Sequence, residues 1–133
     1  MEARLNYFGH PLAAKVLRHI NSANKVLADS TLPPTVQELV KLRASQINGC
    51  GFCTDMHSKD AAHAGETQQR LNRTRIADAA GGATDEAWEN AANHYDEDQL
   101  AALISLIAVI NAYNRINVIN QTPAGDYQPG QFG

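Results

Sequence analysis

Apolar residues recur at helical spacing through most of the chain, and no two-residue alternation competes with them. Between Pro11 and Ala28 the series is Leu12, Val16, Leu17, Ile20, Val26 and Leu27. Ser30-Thr31-Leu32-Pro33-Pro34 interrupts it, and proline suits the first turn of the next helix, expected over Pro34 to Ile47. The apolar stripe of that helix is Val36, Leu39, Val40 and Ile47. Glu38 stands off the stripe, in line with Leu42 and Ser45. Asn48-Gly49 is a turn signal. A third helix is expected from about Cys50 to Gly65, with the glycine as its C-terminal cap and the two cysteines at its N-terminus, where the helix end favours a thiolate. A short helix from Thr67 to Ala80 follows, stopped by Gly81-Gly82, and then one capped by Thr84 that reaches Tyr95. The last and strongest runs from about Asp96 to Asn120, its acidic start, Asp96-Glu97-Asp98, matching the positive end of the helix dipole.

The pattern predicts an all-α fold of about six helices: a single domain over 1–122 and an irregular tail over 123–133. From Leu100 to Ile110 the last helix is apolar on nearly every side, broken only by Ser105. The run is too short to span a bilayer and suits a helix buried between layers or between subunits. Its short neighbours could not cover it in a monomer, so a homo-oligomer is expected.

Composition narrows the class. Of 133 residues, 44% are hydrophobic and 19% charged, which marks a globular chain rather than a disordered one. A net charge of -3 gives no footprint for nucleic acid or an anionic membrane. The N-terminus has no apolar signal-peptide core. The expected location is the cytoplasm.

The chemistry concentrates in Asn48-Gly-Cys50-Gly-Phe-Cys53-Thr-Asp-Met-His57, which holds both cysteines of the chain. Two thiols three residues apart cannot staple a fold, and in a reducing compartment they read as a redox pair or half a zinc site. On a helix, Cys50, Cys53 and His57 fall at i, i+3 and i+7, one face. A dithiol can reduce a peroxide or a disulfide if one thiolate attacks and the other resolves the product. A base must take the thiol proton and an acid must protonate the leaving alkoxide. His57 is the adjacent candidate, and Glu38 completes a relay if the second and third helices pack as a hairpin.

The segment from Glu38 to His57 resembles the core of the carboxymuconolactone decarboxylase-like superfamily, in its AhpD-type alkylhydroperoxidase branch. The shared pattern is a glutamate, eleven residues, C-x-x-C, three residues and a histidine, matched by Glu38, Cys50, Cys53 and His57. Lys59 to Glu66 and Asn111 to Arg115 continue the likeness. The resemblance implies an all-helical protein assembled as a trimer or hexamer. It implies a hydroperoxide substrate, Cys53 as the attacking thiol, Cys50 as the resolving one, and Glu38 and His57 relaying the proton that activates Cys53. An external dithiol, a lipoylated protein or a thioredoxin-like one, would re-reduce the disulfide, and no cofactor is called for. The decarboxylase branch lacks the cysteine pair, so lactone decarboxylation is not expected. Two departures stand out: a segment after Gly65-Glu66 is missing, and Gly51-Phe52 replaces the histidine that some members carry between the cysteines.

Two rival readings accompany this one. C-x-x-C-x3-H supplies three ligands for tetrahedral zinc, with His63 or His94 as a fourth. Alternatively the cysteines serve a non-enzymatic redox sensor or assembly protein. His10, Trp88, Arg43 and Arg115 read as structural.

Overall fold

Five helices and no strand make up the described residues of the computed structural model, which are 2–63, 84–125, 127 and 128. They are α1 (Pro11–Ala28), α2 (Pro34–Ile47), α3 (Gly51–His63), α4 (Asp85–His94) and α5 (Glu97–Asn120). The all-α expectation is met. The expected Thr67–Ala80 helix, the Gly65 cap and the place of the segment expected to be missing after Gly65 fall outside the described residues.

Local chemistry sets the boundaries. His10 caps α1 by accepting the Leu12 N–H on Nδ1, with Pro11 in the first turn. Thr84 caps α4 through the Ala87 N–H. Asp96 and Gln99 form a reciprocal capping box at the start of α5. Between α2 and α3 the chain turns on Gly49, whose φ of 69° is the left-handed conformation a side chain disfavours. The Cys50 N–H donates to Ser45 O at 3.0 Å and the Gly49 N–H to Gln46 O at 3.2 Å, a Schellman closure of α2.

The core joins the α1–α2 connection to α2 and α5. Leu27, Leu32, Val40, Ala102, Leu103 and Leu106 form one buried cluster, against which Val36, Tyr95 and Ile107 pack. Gln37 lies buried beneath it and donates to the Leu27 and Leu32 carbonyls, at 3.1 and 2.8 Å, fixing the connection. On α2 the buried set includes Leu39, Val40, Leu42, Ala44 and Ser45, while Ile47 is exposed. The line Glu38, Leu42, Ser45 therefore turns inward, because α3 and α5 flank α2 on that side: Glu38 bonds His57 of α3, and Ser45 accepts from Asn114 of α5.

By length and composition α5 is long and apolar enough to cross a membrane, with a mean hydropathy of 1.5 over its best window. Its role here is that of a core helix. Leu103, Leu106 and Ile110 are buried, and so are Asn114, Asn117 and Asn120, which a hydrocarbon environment would penalise. Other apolar side chains stay uncovered in the single chain: Leu12 is 67% exposed, Ile104 56% and Ile119 67%.

After α5 the backbone reverses at Gln121, in the left-handed conformation, and returns along α3. The expected irregular tail is docked rather than loose where it is described. The Lys59 ammonium donates to Gly125 O and Tyr127 O, at 3.0 and 3.1 Å, and to Asp55 Oδ2 at 3.0 Å. Tyr127 is buried, and its hydroxyl donates to the Asp60 carboxylate at 2.8 Å.

Candidate active site

The turn that ends α2 delivers Cys50 directly to the start of α3. The third helix begins at Gly51, within a residue of the expected start at about Cys50, and Cys50 is its cap. Its Sγ accepts the Cys53 N–H at 3.2 Å, and its carbonyl takes the Thr54 N–H at 2.9 Å. A sulfur in this position sits on the unpaired N–H groups at the positive end of the helix, which favour a thiolate. Cys53 follows one turn on, inside the helix.

Both cysteines are free and buried, Cys50 at 2% exposure and Cys53 at 0%. They are not equivalent. Cys50 borders a surface cleft of about 540 Å³ lined also by Gln46, Gly49, Gly51, Thr54, Asp55 and Ser58. Its thiol is pushed down to about 7 by the hydrogen bond from the Cys53 side chain, against the effect of burial. The Cys53 and Phe52 backbone N–H groups and the Asn114 amide act in the same direction as that bond. Cys53 moves upward, because it holds the proton it shares with Cys50, because it is buried, and because the Cys50 charge repels a second one. The amides of Asn114 and Asn117 work against that rise. The pair thus loses one proton near neutrality, and the charge rests mainly on Cys50. We expect the alkylation rate of reduced protein by iodoacetamide to climb with pH around a midpoint of about 7. An ordinary free thiol would place that midpoint near ~8.5.

Glu38 and His57 meet as the hairpin of α2 and α3 requires. The Glu38 Oε2 to His57 Nδ1 distance is 3.2 Å, and both groups are largely removed from solvent. The Lys41 ammonium lies 3.4 Å from the other carboxylate oxygen. Burial acts to raise the Glu38 carboxyl, but the His57 hydrogen bond and the Lys41 charge outweigh it and hold the group below its usual value. Glu38 is therefore a carboxylate at neutral pH. It fixes the imidazole by its Nδ1, so that Nε2 is the ring nitrogen not engaged by Glu38. His57 stands one helical turn beyond Cys53 on the same face of α3.

All four residues singled out from sequence thus fall on the α2–α3 hairpin. The expectation that Cys53 attacks first meets a resting thiolate on Cys50, since the cap position concentrates backbone donors on that sulfur. The zinc arrangement is not assembled among the described residues. Among the described residues, the group of three or more metal-ligating side chains that comes together is Glu38, His57 and Asp60, within 4.8 Å of one another, without either cysteine. His94 lies on α4 with its Nδ1 at the Asn90 carbonyl, and the His63 side chain is outside the described residues.

Sequence reasoning did not place the asparagines of α5 at the site. Asn114 is fully buried; its Nδ2 donates to Ser45 Oγ at 3.1 Å, and its Oδ1 accepts from Asn48 at 3.0 Å. The Asn117 Nδ2 donates to Cys53 Sγ at 3.5 Å. The available signal was spacing: Asn111, Asn114, Asn117 and Asn120 recur every third residue on a largely apolar helix.

Comparison with known proteins agrees with the all-helical fold. The model of the carboxymuconolactone decarboxylase family matches residues 14–97. The "Uncharacterized protein YdfG" of Bacillus subtilis is 31% identical over 140 aligned residues, covering 89% of this chain and 94% of that protein. The alkyl hydroperoxide reductase AhpD of Methylocella silvestris is 48% identical over 44 residues, 33% of this chain and 25% of that one. The crystal structure of ATU0492 from Agrobacterium tumefaciens superposes with a TM-score of 0.83 at 28% identity, over 95% of this chain and 100% of that one. ATU0492 is described as a protein of unknown function with a proposed role in antioxidant defence as an AhpD.

Proposed function

Because this chain belongs to the carboxymuconolactone decarboxylase family and has an AhpD-like fold, we propose that it is a dithiol hydroperoxide reductase. The observation that carries this reading is the pairing of a thiol at a helix cap with a second thiol that lies one helical turn before a carboxylate-held histidine. In the singly ionised dithiol the remaining proton lies between the sulfurs. Its passage from Cys53 to Cys50 leaves a Cys53 thiolate one helical turn before His57. That thiolate attacks the hydroxyl oxygen of the hydroperoxide. An S–O bond forms, the O–O bond breaks, and the alkoxide takes the proton from Cys50. The Cys50 thiolate then attacks the Cys53 sulfenic acid. An S–S bond forms, and the departing hydroxide regains, through His57, the proton the dithiol released on ionising. An external dithiol returns two electrons and two protons, meeting the disulfide at Cys50, the sulfur beside the cleft.

A second order of events, with Cys50 attacking first, is favoured by its resting charge and its place at the cleft. The exposed apolar side chains of α1 and α5 support assembly as a homo-oligomer, trimer or hexamer. The reading places the protein in the cytoplasm, where reductant is plentiful.

The test is hydroperoxide consumption with excess dithiol, tert-butyl hydroperoxide and dihydrolipoamide serving as the pair. Many equivalents consumed per chain support the reductase. One equivalent only, with a change of oligomer in light scattering, supports the redox sensor instead.

A further inference from the structure

Asn117 is 5% exposed and sits in the middle of the dithiol environment. Its amide is oriented without ambiguity: one N–H donates to the Tyr113 carbonyl at 2.8 Å, and Nδ2 also reaches Cys53 Sγ at 3.5 Å. This leaves Oδ1, which is buried and has no hydrogen-bond partner. Among the described residues it is the one buried side-chain nitrogen or oxygen in that condition. An unpaired buried acceptor is costly, and one reason for a structure to keep it is a donor that arrives during function.

We propose that Asn117 is a further catalytic residue of this site, its N–H holding the Cys53 thiolate and its Oδ1 receiving the O–H of the hydroperoxide. The inference rests on the hydroperoxide reading above. The hydroxyl oxygen that Cys53 attacks carries its hydrogen throughout: it is H–O–O–R before the step and Cys53–S–O–H after it. An acceptor beside Cys53 can hold that hydrogen from approach to sulfenic acid. The lone pair of the attacked oxygen is thereby aimed away from the sulfur, and the O–O bond is aligned for displacement. The amide donor also opposes the upward shift that burial and the Cys50 charge impose on Cys53. Asn114 assists from the preceding turn but has both ends of its amide occupied, so it cannot receive a substrate.

The substitution to make is Asn117→Leu, which keeps the volume and removes both the donor and the orphaned acceptor. A residue kept for structure would lower the melting temperature when replaced. Here the melting temperature is expected to hold or rise, because an unsatisfied acceptor is lost. The second-order rate with hydroperoxide is expected to fall about 100-fold, as when one donor of an oxyanion site is removed. Oxidation of the dithiol by diamide, which presents no O–H, should change far less. An unchanged peroxide rate overturns the proposal, and so does a parallel loss of both rates with a lower melting temperature. If the wild type itself fails to reduce hydroperoxides, the functional reading falls, and the thiolate role is read separately from the ultraviolet titration of Cys53 in Cys50→Ser. An upward shift on adding Asn117→Leu there upholds that role, and no shift overturns it.

Discussion

Cys53→Ser is expected to abolish catalytic turnover of hydroperoxide and, with it, the first oxidation event. Cys50→Ser also loses turnover, yet still consumes one equivalent and accumulates a sulfenic acid that dimedone traps on Cys53. The asymmetry follows from position. Cys53 is one helical turn from His57 and receives the Asn117 amide, whereas Cys50 sits at the cap beside the cleft. Without Cys50 there is no resolving thiol and no proton between the sulfurs, but the relay still serves Cys53. Loss of turnover should reach the detection limit in both variants, since no other cysteine exists in the chain to substitute. Trapping on Cys50 in Cys53→Ser, with none on Cys53 in Cys50→Ser, would reverse the order of attack and leave the dithiol mechanism standing.

The second large effect is expected from Glu38→Gln. The glutamine keeps the shape and can still meet His57 Nδ1, but it removes the carboxylate that fixes the tautomer and supports an imidazolium. The rate with hydroperoxide should fall roughly 100-fold, at the low end of what a positioned acid–base group contributes. The wild-type carboxyl is held below its usual value, so this contribution is present at neutral pH and lost only as pH falls through that lowered value. Steady-state rates of wild type and Glu38→Gln between weakly acidic and weakly alkaline pH check both points. The wild type should follow the dithiol ionisation near about 7, and the variant should follow a displaced profile at lower amplitude.

Much of this was legible in the sequence because it depends on local chemistry. The proline-led starts fixed α1 and α2, and the acidic cap fixed α5, to the residue or nearly so. The four-residue pattern on the hairpin was legible for the same reason: Glu38 and His57 need only α2 to fold back on α3. What escaped depends on tertiary placement. Cys50 was read as lying at about the first residue of α3, with the dithiol at the helix N-terminus and on one face with His57. The Schellman turn at Gly49 makes it the cap instead, and so moves the charge to the other sulfur. The asparagines of α5 register as interruptions in an apolar pattern, and nothing local says that Asn117 faces a thiol. The segment after Gln121 has no periodicity to read, yet Lys59, Asp55 and Asp60 hold it to α3 by backbone and carboxylate contacts.

The most direct test is a rapid-mixing measurement of the second-order rate constant between reduced protein and tert-butyl hydroperoxide at neutral pH. Dithiothreitol under the same conditions is the reference. A thiolate stabilised by a helix cap and served by a carboxylate–histidine relay should react at least about 100-fold faster than the free dithiol. It should leave a disulfide between Cys50 and Cys53. A rate no faster than that of dithiothreitol would contradict the assignment of this site to hydroperoxide reduction.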